Sequence, residues 1–242
     1  MGIKPNEKGD QVAILQRKKK LISYFQLIKV AKSQKVFEAF LKVPREEFVL
    51  PSQMKRAYED HPLPILEGQT ISAPHMCVML LESLWPGVTE FPCGEKILEI
   101  GTGSGYQAAL IAEMVAPLSR EREEWGHVYT IERFNRLVEF GRSNLERSGY
   151  TDRVTVLEGD GTLGYPEKAP YDQILVTAAS PDVPDPLIEQ LKVGGCLVLP
   201  MGGKRFNQAL VAVRKRENGK LEQKKLGGVA FVPLVGKYGW KK

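Results

Sequence analysis

The sequence predicts an α/β protein built on a mostly parallel, doubly wound sheet, and three observations carry that prediction. Short apolar runs that read as buried strands alternate with longer helical patterns from Lys96 to Pro200, as in strands joined by crossover helices. The first of these runs, Ile97 to Ile100, breaks on Gly101, Gly103 and Gly105 before the helical stretch Tyr106 to Val115. A chain of 242 residues with 43% hydrophobic composition is long enough to bury such a sheet on both faces.

In chain order, Arg17 to Lys20 form a basic run, and Leu21, Tyr24, Phe25 and Ile28 follow at helical spacing. They predict a surface helix packed by its apolar stripe with the lysines in water; a helix holding RNA is the alternative. A second helix is expected over Val36 to Leu41, ending before Pro44. Pro62 and Pro64 fix an extended path. Pro74 can begin a helix running to Trp85, with Ser72 or Ala73 near its cap, and a hydroxyl beside a helix N-terminus suits an anion. After Tyr106 to Val115 the charged stretch Leu118 to Trp125 reads as an exposed insertion. His127 to Ile131 and Val154 to Leu157 read as the next strands, with a helix from Phe134 between them. The first ten residues and the insertion after Pro117 are the disorder-prone pieces. One domain is expected over 1–242: a helical extension (1–60), a segment and helix covering the site (61–85), the α/β core (94–200) and C-terminal strands (201–242).

The net charge of +5 and pI near 9.0 come partly from the N-terminal basic run. No eighteen-residue apolar run exists and Met1 to Lys8 lack the apolar core of a secretory signal, so a soluble, cytoplasmic protein with no membrane partner is expected. Cys77, Cys93 and Cys196 lack metal or redox spacing and are expected as reduced thiols. His61, His75 and His127 are scattered, and no metal site is expected.

The glycine turn lets a ligand lie against bare backbone. A dinucleotide fingerprint requires glycine where Tyr106 stands, which disfavours pyrophosphate. The second strand ends at Glu132, where an acid can accept from ribose hydroxyls, and the third ends in Glu158-Gly159-Asp160-Gly161. Three strand ends then aim acceptors into one crevice, the place where open α/β sheets bind ligands. Glu132 equally reads as the N-terminal acid of the following helix, and Asp160 as part of an Asp-Gly turn.

Glu99-Ile100-Gly101-Thr102-Gly103-Ser104-Gly105 resembles motif I of S-adenosylmethionine-dependent methyltransferases. Further pieces make the resemblance specific: Pro44-Arg45-Glu46-Glu47-Phe48-Val49, Tyr58-Glu59-Asp60, Gly68 to Met76, Tyr129 to Arg133, Gly159-Asp160-Gly161, Tyr171 to Ala179, Gln190 to Gly195 and Phe231-Val232-Pro233-Leu234. In register from about Phe37 to Val235, the chain resembles the protein-L-isoaspartate (D-aspartate) O-methyltransferase family. The resemblance implies a Rossmann-like methyltransferase fold and S-adenosylmethionine as cofactor. The implied reaction is methyl transfer to the free α-carboxylate of isoaspartyl residues in damaged proteins and peptides, the ester then closing to a succinimide. It implies Ser72 as the catalytic residue, orienting the substrate carboxylate by its hydroxyl. Gln69, Thr70 and Ile71 would close over the cofactor. Glu99, Gly101, Thr102, Gly103 and Ser104 would hold the loop and the amino acid end, Glu132 and Arg133 the ribose, and Asp160 and Gly161 the adenine. The backbone around Val232 would pair with the peptide as an added strand. Some relatives carry a second histidine where Cys77 stands, so a contact from that imidazole is absent or replaced. A monomer is expected.

Two rival readings share the cofactor fold. A nucleic-acid methyltransferase acting on base amino groups wants an Asn/Asp-Pro-Pro-aromatic loop where Thr177-Ala178-Ala179-Ser180 stands, and Cys93 precedes the first strand, misplaced for cytosine C5 chemistry. A cofactor-binding module without turnover would have no need of the Gln69 to Met76 segment.

Overall fold

The structure is a computed structural model that describes residues 5–241. Helix α1 spans Pro5–Leu27 and α2 Gln34–Lys42. The disorder-prone reading of the first ten residues is corrected from Pro5 onward, where the chain is already helical; residues 1–4 lie outside the described residues. A proline at the first helical position donates no N–H that the helix would need, so it is compatible with such a start.

The inward stripe of α1 differs from the predicted one. Leu21 and Phe25 are buried, but Tyr24 and Ile28 are exposed and Lys18 turns inward. The Lys18 Nζ donates to the carbonyls of Leu41 (2.8 Å) and Val43 (3.0 Å) at the end of α2. Those carbonyls lack intrahelical partners and carry the negative end of the helix dipole, so a cation belongs there. Burial lowers this amine to about 8. One of the three lysines expected in water is thus a clamp between two helices.

Strands β1 (Leu63–Pro64) and β2 (Thr70–Ile71) form a short antiparallel hairpin. Helix α3 follows at Pro74–Leu84, capped at Ala73 with no side-chain bond of its own. The bond comes from Asp60, whose Oδ1 accepts from the His75 N–H at 2.9 Å.

The sheet is built from β3 (Lys96–Ile100), β4 (His127–Glu132), β5 (Val154–Glu158), β6 (Tyr171–Val176), β7 (Leu191–Gly202), β8 (Gln208–Lys215) and β9 (Leu221–Val229). Helix α4 (Tyr106–Val115) joins β3 to β4, α5 (Asn135–Arg147) joins β4 to β5, and α6 (Asp185–Gln190) precedes β7. The strand order is β5-β4-β3-β6-β7-β8-β9. Pairing is parallel from β5 through β7 and antiparallel at β8 and β9. Alternate strand residues serve two cores. Ile97, Val128 and Leu175 pack beneath the helices α1 to α5; Leu98, Ile100 and Ile174 pack on the other face with Leu187 of α6. The chain leaves β3 toward β4 and later returns on the other side at β6, so the sheet reverses direction beside β3. A crevice opens outside the carboxyl ends at such a point.

The insertion Leu118 to Trp125 is exposed, as expected, but it carries a helical turn at Arg122–Glu124. Arg122 pairs with Asp152 at 2.8 Å, and Trp125 lies against the Arg153 guanidinium. After β9 the chain doubles back across the strand ends. The Ala179 N–H donates to Val232 O (2.7 Å) and the Leu234 N–H to Ala179 O (2.8 Å). Among the described residues, no helix is long and apolar enough to cross a membrane.

Candidate cofactor and acceptor site

The loop after β3 turns on glycines for two different reasons. Gly101 has φ +100 and Gly105 φ +84, backbone angles that side chains rarely tolerate. Gly101 is also crowded: a side chain there would overlap the Thr177 hydroxyl, which donates to the carbonyls of Ile100 and Gly101 at 3.0 and 2.9 Å. The loop is therefore sewn to β6 and, through the Gly101 N–H and Ile131 O at 2.8 Å, to β4. Ser104 sits two residues before α4, whose N-terminal amides favour a negative group.

The three acids occupy three different environments. Glu132 is buried at the end of β4 and lines the cavity. Its Oε2 accepts from the Gly103 N–H (3.0 Å), and its Oε1 from the N–H groups of Arg133 (2.8 Å) and Phe134 (3.1 Å). It thus acts as helix acid and loop support together, and a carboxylate with about four lone-pair sites keeps capacity for one further donor. Glu99 does not reach the cavity. It is fully buried below the loop, where Thr130 donates to Oε2 at 2.5 Å and meets Thr102 at 2.8 Å. Burial pushes its carboxyl up to about 8, and the Glu132 charge adds to the rise. Of the two roles expected of it, holding the loop or the amino acid end, the contacts through Thr130 and Thr102 favour the loop. Asp160 is also outside the main cavity and borders a smaller one shared with Arg133. Its oxygens accept from the Thr162 N–H (2.9 Å), the Thr162 hydroxyl (2.7 Å) and the Lys237 N–H (2.7 Å). It ties down the C-terminal turn, while Gly161 takes the place at the cavity wall.

Opposite the loop stands the β1–β2 hairpin. Its turn is closed by Ile65 N–H to Gln69 O at 2.9 Å and held to α5 by the Glu67–Arg136 ion pair at 2.9 Å. Gln69, Thr70, Ile71 and Ser72 form this wall. The Ser72 carbonyl accepts from Arg45 Nη2 at 2.6 Å, whereas its hydroxyl has no hydrogen-bond partner among the described residues. Cys77 is buried beside it.

These walls enclose one open-mouthed cavity. It gathers Gln69, Thr70, Ile71, Ser72, Gly101, Thr102, Gly103, Ser104, Glu132, Arg133, Gly161 and Val232. Val232 contributes to the wall, but its carbonyl is already taken by Ala179, and the Phe231 N–H and carbonyl bind the Gln208 side chain. These bonds leave the carbonyl of Pro233, among others, for an added strand around Val232. Gln107, in the first turn of α4, was hidden in the helical pattern. It lines the cavity with both amide atoms buried and without a partner, a state costing about 1–3 kcal/mol per group unless something binds there. A carboxamide offers donor and acceptor together, which suits the carboxylate and ammonium of an amino acid. That orphaned amide, the bare glycine backbone and the spare capacity of Glu132 fit S-adenosylmethionine.

Comparison with known proteins agrees with this geometry. The model of the family "Protein-L-isoaspartate(D-aspartate) O-methyltransferase (PCMT)" matches residues 16–239. A protein-L-isoaspartate O-methyltransferase of Hyperthermus butylicus is 57% identical over 210 residues, covering 87% of this chain and 85% of the relative. One of Staphylothermus marinus is 53% identical over 224 residues, covering 93% and 96%. Among solved structures, a putative protein-L-isoaspartate O-methyltransferase of Plasmodium falciparum in complex with S-adenosyl-L-homocysteine superposes with a TM-score of 0.74 at 25% identity, covering 90% of this chain and 97% of that one. By these matches the chain belongs to the protein-L-isoaspartate(D-aspartate) O-methyltransferase family.

Proposed function

We propose that the protein transfers a methyl group from S-adenosylmethionine to the free α-carboxylate of L-isoaspartyl residues, and of D-aspartyl residues, in damaged proteins and peptides. The observation that carries this reading is the single cavity running from the glycine loop and Glu132 to the unpartnered hydroxyl of Ser72. The loop amides, Ser104 and Gln107 would hold the amino acid end of the cofactor, Glu132 and Arg133 the ribose, and Gly161 the adenine. When bound, S-adenosylmethionine supplies a methyl group activated by a positively charged sulfur.

The chain's own part is to hold an acceptor oxygen in place and keep water away. A carboxylate with an ordinary pKa near 4 is ionised at neutral pH, so no general base is required, and Ser72 orients the acid without becoming a nucleophile. Such fixing of geometry can supply several kcal/mol of a barrier. The hairpin and the C-terminal segment, Val232 to Val235, wall the cavity and exclude solvent. The ester product then closes to a succinimide without further help.

The cavity wall draws on segments from Gln69 to Val235 arranged around one sheet, which supports one domain over 1–242, and a monomer belongs to the same reading. Three free cysteines, two of them buried, suit a reducing, cytoplasmic setting. The test is transfer of labelled methyl from S-adenosylmethionine to an isoaspartyl peptide. Label should enter, be lost in mild base, and be absent with the normal aspartyl isomer; equal labelling of both isomers would reject the assignment.

A further inference from the structure

Arg45 is fully buried, and among the described residues it makes no ion pair. Its Nε donates to Ala57 O (2.7 Å) and its Nη2 to Ser72 O (2.6 Å). Its Nη1 faces Cys77 Sγ at 3.9 Å, and its guanidinium lies 4.9 Å from the centre of the Tyr106 ring. Burial pushes the Cys77 thiol up to about 11, so at neutral pH it is an uncharged neighbour. Neither nearby carboxylate pairs with it directly: Asp60 holds the His75 backbone and ring and feels the Arg45 charge only at longer range, and Glu46 accepts from the Tyr58 hydroxyl. Three of the residues touching this guanidinium, Ser72, Cys77 and Tyr106, line the acceptor end of the cavity. A charge removed from water is costly unless something compensates it, and a field in a buried region is screened far less than one at the surface.

We propose that Arg45 is the positioning residue that makes the acceptor end of the cavity select an anion. From behind Ser72, Cys77 and Tyr106 it fixes the Ser72 main chain and supplies a buried positive charge that a free carboxylate completes and a neutral amide does not. The inference rests on the methyl-acceptor reading of this cavity. It assigns to one residue, distant in sequence from the glycine loop, the discrimination between an isoaspartyl acid and the uncharged main chain around it.

The test is binding, read by calorimetry on the full chain saturated with S-adenosylhomocysteine. The probes are an isoaspartyl peptide and the same peptide with its α-carboxylate converted to the carboxamide. The wild type should favour the acid by about tenfold or more, the range of one charge-assisted contact. Arg45→Met should bring that ratio toward one, and Arg45→Lys, which keeps charge but loses the planar fork, should keep part of it. Should Arg45→Met fail to fold, the wild type still decides. A preference created by a buried charge should survive a rise from about 0.05 M to about 0.5 M KCl, whereas one created by surface lysines should collapse. A wild-type ratio near one, an unchanged ratio in Arg45→Met, or a salt-sensitive preference would each overturn the proposal. A wild type that binds neither peptide would instead remove the acceptor reading on which it stands.

Discussion

The carboxylate of Glu132 and the backbone N–H of Gly103 lie 3.0 Å apart, so the acid ending one strand props the glycine loop that ends its neighbour. If Glu132 holds the cofactor as proposed, any change there acts on cofactor binding both directly and through the loop.

Glu132→Ala leaves three N–H groups without their acceptor. Affinity for S-adenosylhomocysteine is expected to fall by about tenfold or more, from the loss of charged hydrogen bonds at about 1.5–3 kcal/mol each. Calorimetry that finds a Kd within twofold of the wild type would remove Glu132 from the site.

Ser72 predicts the opposite split. Its hydroxyl faces the acceptor end, so Ser72→Ala should lower turnover of an isoaspartyl peptide by about tenfold to a hundredfold, as loss of an orienting donor does. Cofactor affinity should stay within about threefold, since no cofactor-facing bond is lost. A weakened cofactor complex with unchanged kcat would reverse the role.

Gln107→Leu separates a ligand group from a structural one. Removing two unpartnered buried atoms should leave stability unchanged or raise it by about 1 kcal/mol, while S-adenosylhomocysteine binding weakens by about tenfold. Denaturant unfolding and calorimetry read the two effects independently. Lost stability with intact binding would mean that the amide serves the fold alone.

Glu99 makes stability depend on pH. Burial raises its carboxyl from 4.5 to about 8, so the folded protein retains a proton that the unfolded chain releases between those values. The resulting stabilisation is complete below about pH 4.5 and is lost as pH rises through about 8. Glu99→Gln, neutral throughout, should therefore gain on the wild type across that window by a few kcal/mol, on the order expected for a shift of this size. Urea unfolding at the two ends of the range checks it; a constant difference would show that Glu99 is ionised inside.

The local pattern made the framework legible. The bounds of α4 and the positions of β3, β4 and β5 follow from apolar runs broken by glycine, because strand and helix periods are written in neighbouring residues. What the pattern could not show are bonds between distant positions. The cap of α3 comes from Asp60, the clamp on α2 from Lys18, and one of the partners of Asp160 is the Lys237 N–H. In each case a side chain with several plausible local roles is claimed by a group far along the chain. The same reason sets Glu99 beneath the loop and Asp160 at the smaller cavity, and it left Arg45, which the sequence offered only as part of a motif, without a stated role. Gln69 to Ser72 and Gly101 to Ser104 do line one cavity, but the bonds that set them there, from Thr177 to the glycine loop and from Arg45 to the Ser72 carbonyl, again come from far along the chain.

The cavity takes its hairpin wall from positions early in the chain and its opposite wall from Val232 to Val235, while the strands between can assemble from nearer neighbours. The last strand, β9, ends at Val229, only a few residues before Val232, so the sheet and the far wall of the pocket are completed in the same short stretch of synthesis. Loosening either outlying wall would open the site while the central strands stay paired.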